Sequence, residues 1–81
     1  MHLIKPLATE KAVRLLESEN KIVLAVDKQT TRREIKEGIE KEFGVKVGKV
    51  NIIVDEGGRK KAYVKLAKGK AADIATKLGV L

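Results

Sequence analysis

Two alternating apolar segments, separated by a glycine-rich turn, constrain this chain more than any other feature of its sequence. Residues 50–54 alternate apolar and mixed side chains, and residues 55–58 (Asp-Glu-Gly-Gly) then supply glycines that can adopt the positive φ angles of a tight turn. Along the return segment, residues 60–66, every second residue is apolar: Ala62, Val64 and Leu66. The positions between them point to the other face and carry Lys61, Tyr63 and Lys65. The pattern predicts a β-hairpin with an apolar inner face.

The first third of the chain predicts a strand, a helix and a second strand. Residues 2–5 can form a short strand that ends at Pro6, because proline has no N–H for a sheet. Thr9 is a suitable N-cap for a helix that runs to about Ser18. Residues 22–26 are apolar on both faces and rich in β-branched side chains, which is typical of a covered interior strand.

The remaining segments predict two more helices. Thr31 and Glu34 form a capping box that opens a helix ending at Gly44. Apolar spacing in residues 71–78 indicates a short closing helix, and Gly79 follows it. The predicted fold is α/β (α+β): a small sandwich of helices and a mainly antiparallel sheet of three to four strands, in the order β-α-β-α-β-β-α.

The net charge of +7 on only 81 residues favours a polyanionic partner for a single domain spanning residues 1–81. Residues 1–44 hold nine basic and eight acidic side chains, a net +1, whereas residues 45–81 hold nine basic and three acidic, a net +6. The excess charge therefore lies almost entirely in the second part of the chain. The longest apolar run, residues 22–26, is far too short to span a bilayer, so we expect no membrane insertion and an intracellular, soluble protein.

Enzymatic chemistry has little support in the sequence. There is no cysteine, and the only histidine is His2 near the terminus, which leaves few candidates for nucleophilic catalysis, acid–base catalysis or metal binding. Gly69-Lys70 is followed by alanine and is not preceded by the glycine of a phosphate-binding loop. We expect a protein that is not an enzyme and has no metal or cofactor; the remaining enzymatic alternative would use carboxylates on the helices.

Two basic groups are candidates for nucleic-acid binding. The outward row Lys61-Tyr63-Lys65, preceded by Arg59 and Lys60, combines cations spaced about 7 Å apart with an aromatic ring that can stack on a base. The alternative is an edge strand that lysines protect from aggregation. The second group lies around the start of the second helix and consists of Lys28, Arg32, Arg33 and Lys36. It could bind phosphate at the helix N-terminus, or it could simply be a solvated helix face.

Several blocks of the sequence, taken together, resemble one protein family. They are Pro6-Leu7-Ala8-Thr9-Glu10-Lys11-Ala12, Asn20-Lys21-Ile22-Val23-Leu24-Ala25-Val26, Thr31-Arg32-Arg33-Glu34-Ile35-Lys36, Phe43-Gly44-Val45-Lys46-Val47, Val50-Asn51 and Lys60-Lys61-Ala62-Tyr63-Val64-Lys65-Leu66. In this order they are similar to the large-ribosomal-subunit protein twenty-three family, which binds rRNA at the rim of the polypeptide exit tunnel. The resemblance covers nearly the whole chain.

The resemblance implies a structural protein of the large subunit of the cytoplasmic ribosome, with large-subunit rRNA and neighbouring ribosomal proteins as partners. It implies that the rRNA-binding residues are Lys28, Thr31, Arg32, Arg33, Lys36, Asn51, Arg59, Lys60, Lys61, Tyr63 and Lys65. It also gives Glu10, locally only a first-turn glutamate, a docking role for nascent-chain factors such as signal recognition particle.

The chain departs from bacterial relatives of the family in its hairpin, because residues 55–59 form a tight turn where those relatives extend a long loop. Many eukaryotic relatives carry a basic N-terminal extension, which this sequence does not have. Both departures suggest an archaeal type. The alternative function is that of a free-standing nucleic-acid-binding protein, such as a small chromatin or RNA-chaperone module.

Overall fold

The computed structural model describes residues 4–55 and 57–79, which form a four-stranded sheet and three helices. The elements follow the order β1 (Ile4–Pro6), α1 (Glu10–Ser18), β2 (Lys21–Val26), α2 (Arg32–Phe43), β3 (Lys46–Val54), β4 (Lys60–Lys68) and α3 (Ala71–Lys77). This order is the one predicted from the sequence. The predicted first strand began at residue 2, and residues 2 and 3 lie outside the described part of the chain.

Local signals in the sequence set the ends of the first two helices. Thr9 caps α1 by accepting a hydrogen bond from the backbone N–H of Ala12 at 3.2 Å. Thr31 caps α2 and forms a capping box with Glu34, whose carboxylate accepts from the Thr31 N–H at 3.3 Å. Gly44 ends α2 with a φ of 66°, a left-handed conformation that glycine adopts without steric conflict. These predicted boundaries are confirmed.

The sheet is antiparallel throughout and has the strand order β1-β2-β4-β3, so β2 and β4 are interior strands. All three helices pack on one face, because buried side chains from each of them join a single apolar cluster with alternate residues of β2, β4 and β3. The largest fully buried apolar side chains are Leu24, Ile35, Ile39, Ile74 and Val64. The helices and the sheet thus form the two layers of the predicted α+β sandwich, and the other side of the sheet bears no helix within the described residues.

The interior position of β4 excludes one explanation of its lysines. An edge strand could use Lys61 and Lys65 as protection against pairing with another chain. However, β4 pairs with β2 on one side and with β3 on the other, and both lysines lie within these pairings. The edge-protection alternative is therefore wrong. It does not explain why β4 carries lysine at two of its outward positions, Lys61 and Lys65.

A register shift at Gly48 decides which way Val47, near the start of β3, faces. Val47 lies opposite Leu66, whereas Lys49 lies opposite the residue that precedes Leu66, so Gly48 is an extra residue in β3. A Cβ on Gly48 would lie 3.3 Å from the Cβ of Ala67, which shows how closely the two strands approach. As a consequence, Val47 faces the helices while Lys49 faces away from them.

Candidate nucleic-acid interface

The helix-free side of the sheet carries three rows of side chains that run across β2, β4 and β3. Residues directly opposite each other in an antiparallel sheet share a face, with Cβ atoms about 4.5–5.5 Å apart. From β2 to β3, the rows are Lys21-Lys65-Lys49, Val23-Tyr63-Asn51 and Ala25-Lys61-Ile53, and Lys5 of β1 lies opposite Ala25. We refer to these ten residues as the open face.

The first of these rows, here named the lysine row, places Lys21, Lys65 and Lys49 side by side. Lys21 pairs with Glu19 at 3.1 Å, while Lys65 and Lys49 make no ion pair with any residue that the structure describes. Like charges directly opposite each other in a sheet are destabilising. The lysine row is therefore unfavourable for the chain alone and becomes favourable when a polyanion lies across it.

Tyr63 lies in the middle of the open face. Its cross-strand neighbours are Val23, which is only 4% exposed, and Asn51, which is exposed. Lys61 and Lys65 flank Tyr63 along β4, each at a spacing of two residues, or about 7 Å. An aromatic ring between two ammonium groups can stack on a base while the lysines contact adjoining phosphates.

Lys60 does not belong to this surface, although it adjoins Lys61 in the sequence. Its ammonium donates hydrogen bonds to the carbonyl oxygens of Thr30 at 2.7 Å and of Lys28 at 3.1 Å. Alternation along β4 places Lys60 on the side of the helices, where it holds the hairpin against the loop before α2. Its positive charge is engaged within the protein.

Two of the predicted cations, Arg59 and Lys28, lie beside the turn of the hairpin. The Arg59 backbone N–H donates to the Asp55 carboxylate at 3.0 Å, while the Arg59 residue itself is exposed. The Lys28 ammonium lies 3.8 Å from the position that a Cβ on Gly58 would occupy. Arg59 and Lys28 therefore extend the basic surface beyond the turn of the hairpin.

The second basic group projects from the start of α2, where Arg32, Arg33 and Lys36 are exposed. Thr31 differs from them, because its hydroxyl accepts from the Glu34 N–H at 3.2 Å and so caps the helix. The three cations line a groove of about 260 Å³ between α2 and β3; the other lining residues are Val47, Gly48, Lys49 and Val50. We call this the α2–β3 groove.

Lys49 joins the two basic groups, although it was not among the residues predicted from the sequence. It belongs to the lysine row and also lines the α2–β3 groove, so the positive surface continues around the β3 edge. Lys5 and Lys21 were missed as well. Alternation along the strands places both Lys21 and Lys49 on the open face, but each lies just before a segment predicted as a strand, residues 22–26 and 50–54.

Glu10 lies apart from the open face. It is exposed in the first turn of α1, a helix that packs on the opposite side of the sheet through Leu16. It lines a shallow groove of about 420 Å³ together with Lys11, Arg14, Leu15, Ser18 and Glu19. A partner at Glu10 would thus approach the molecule from the helical side.

The described residues offer no alternative site chemistry. Within residues 4–55 and 57–79, no group of three or more His, Cys, Asp or Glu side chains could hold a metal ion. The helices in this part of the chain are all too short or too polar to cross a membrane. What the surface presents is a set of cations around one aromatic ring, which suits a polyanion.

Comparisons with known proteins agree with this chemistry. The model of the family described as Ribosomal protein L23 matches residues 1–74. The large ribosomal subunit protein uL23 of the archaeon Pyrobaculum aerophilum is 54% identical over 74 residues, which cover 90% of this chain and 91% of that protein. The resemblance found in the sequence, including its archaeal type, is thereby confirmed. The chain belongs to the ribosomal protein L23 family and is a non-enzymatic structural constituent of the large subunit of the cytoplasmic ribosome.

Proposed function

We propose that the protein binds large-subunit rRNA through its open face and the start of α2, at the rim of the polypeptide exit tunnel. The observation that carries this proposal is the lysine row, in which Lys21, Lys65 and Lys49 lie directly opposite one another across three strands. Such an arrangement destabilises an isolated sheet and is compensated by a polyanion. Membership in a ribosomal family favours rRNA over the partners of a free-standing chromatin or RNA-chaperone module.

The proposed interface contains the predicted residues in two roles. Direct contacts to RNA come from Lys28, Arg32, Arg33, Lys36, Asn51, Arg59, Lys61, Tyr63 and Lys65, and we add Lys5, Lys21 and Lys49 because they lie on the same surface. Lys60 and Thr31 contribute indirectly, because each hydrogen-bonds within the protein and stabilises the segment before α2. Neighbouring ribosomal proteins would contact the remaining surface.

The salt dependence of RNA binding tests the open face. Each phosphate that the protein neutralises contributes about 0.7–0.9 to the slope of log K against log salt. We therefore expect Lys61→Ala/Lys65→Ala to weaken binding to a large-subunit rRNA fragment and to flatten the slope by up to about 1.4–1.8, the contribution of two phosphate contacts. The matched control is Lys41→Ala/Lys77→Ala, which removes the same charge from the last turns of α2 and α3.

The control variant shows whether RNA binding depends on the open face or only on the net charge of the protein. If both double variants flatten the slope equally, the positive charge acts diffusely and the open face is not the interface. If only Lys61→Ala/Lys65→Ala does so, the contacts lie on the open face. The measurement is a titration of labelled rRNA fragment at several salt concentrations.

We also propose that Glu10 belongs to a docking platform for nascent-chain factors such as signal recognition particle. Its exposure on α1, on the side of the sheet away from the lysine row, supports this, since RNA on the open face would leave α1 accessible. Glu10→Lys should weaken binding of signal recognition particle to ribosomes that carry the variant, with subunit assembly intact. Glu42→Lys makes the same charge change on α2 and should have no effect. Loss of assembly in Glu10→Lys would instead indicate a structural role.

A further inference from the structure

The α2–β3 groove differs from the rest of the basic surface because it is lined by apolar as well as cationic groups. Val47 is only 7% exposed, Val50 is half-buried against the core, and Gly48 between them has no side chain. The other lining residues are all cations: Arg32, Arg33, Lys36 and Lys49. A phosphate alone would use the cations and leave the apolar lining unoccupied.

The size of the groove limits what can enter it. Its volume of about 260 Å³ lies below the roughly 300–1,000 Å³ of pockets for drug-sized ligands. A group that fits must be small and apolar on its faces, and it must be joined to negative charge. An unpaired nucleotide has these properties, because its base has apolar faces and is flanked by phosphates. In a duplex the base is stacked and paired, so it cannot enter.

The cations of the groove are available to such a ligand. Arg33 pairs with Glu37 at 3.1 Å, but both side chains are more than half exposed, and a pair of this kind contributes little to stability. Arg32, Lys36 and Lys49 make no ion pair with the described residues. Arginine adds a planar guanidinium that stacks on bases, which lysine lacks.

We propose that the α2–β3 groove receives a single unpaired RNA nucleotide. Its base lies against Val47 and Val50 and stacks on an arginine at the start of α2, while its flanking phosphates contact Lys36 and Lys49. The inference rests on the proposed RNA binding and makes it specific: RNA that crosses the β3 edge is locally single-stranded, with one base turned into the protein.

The test compares two RNAs with each protein variant. The first is a single-stranded RNA of about 12 nucleotides with one 2-aminopurine, a base whose fluorescence rises on unstacking, and the second is a blunt duplex of the same sequence. The variant Arg32→Lys/Arg33→Lys keeps every charge but removes both planar groups from the groove. Arg14→Lys is the matched control, because Arg14 is exposed on α1, lies outside the proposed RNA contacts and does not line the groove.

We expect the wild type to bind the single strand more tightly than the duplex and to raise its fluorescence. Arg32→Lys/Arg33→Lys should weaken single-strand binding about fivefold or more, as loss of one stacked base does, and abolish the fluorescence rise. Its affinity for the duplex should not change, and Arg14→Lys should behave as wild type. An unchanged preference and fluorescence in Arg32→Lys/Arg33→Lys would overturn the nucleotide site while leaving RNA binding intact. If the wild type binds neither RNA, the proposed function itself fails.

Discussion

The helix-covered face and the open face of this sheet are made from the same strands, yet their side chains differ in kind: one face is apolar and the other is largely cationic. Along β4, Ala62, Val64 and Leu66 are buried against the helices, while Lys61 and Lys65 alternate with them on the other side. The side chains of the covered face are apolar because they pack against the helices and are shielded from water. The open face tolerates repulsion between lysines that packing does not require. Stability is thus concentrated on one side of these strands, and the proposed RNA contacts lie on the other.

The comparison is most strongly tested at two adjacent residues of β2. Leu24 is fully buried in the core cluster, so Leu24→Ala should lower the free energy of unfolding by about 2–5 kcal/mol. Val23 is also shielded but lies on the open face, outside that cluster. Val23→Ala removes two CH₂-sized groups and should lower the free energy of unfolding by only about 1–2 kcal/mol. Urea unfolding followed by circular dichroism measures both, and equal losses would mean that the open face is a second core.

Lys60 and Lys61 form a second adjacent pair that separates the faces. Lys60→Met removes the ammonium from the Thr30 carbonyl, which belongs to a residue with no solvent exposure. A buried acceptor left without a donor costs about 1–3 kcal/mol, so urea unfolding should show a loss of that size. Lys61→Met should leave stability nearly unchanged and weaken RNA binding. If Lys61→Met were as destabilising as Lys60→Met, Lys61 would be a structural residue.

Local patterns in the sequence predicted most of the fold, because its boundaries depend on neighbouring residues. The caps at Thr9 and Thr31, the turn before Arg59 and the alternation along β4 each involve residues only a few positions apart. The order of the strands in the sheet could not be predicted from these local patterns, since it depends on which strands pair across long sequence separations. Only the structure shows β4 between β2 and β3, and this position removes edge protection as an explanation of Lys61.

Most of the candidate site follows strand alternation, and two of its residues were missed because β2 and β3 begin earlier than predicted. Lys61, Tyr63 and Lys65 face outward as expected, but Lys60 was grouped with them because it adjoins them in the sequence. Lys49 was missed, because the predicted strand began at Val50, whereas β3 begins at Lys46. Lys49 lies two residues before Asn51 and therefore faces the same way, and the extra residue at Gly48 changes only the face of Val47.

The smallest expected effect concerns the lysine row itself. Lys65→Thr removes the central charge between Lys21 and Lys49, so it should raise the free energy of unfolding by about 0.2–1 kcal/mol at low salt. Lys61→Thr is the control on the same strand and face, because its cross-strand neighbours, Ala25 and Ile53, are uncharged. The difference between the two variants should disappear near 1 M salt, where the Debye length falls to about 3 Å. A difference that persists at high salt would come from packing rather than charge, and the lysine row would then carry no electrostatic strain for RNA to relieve.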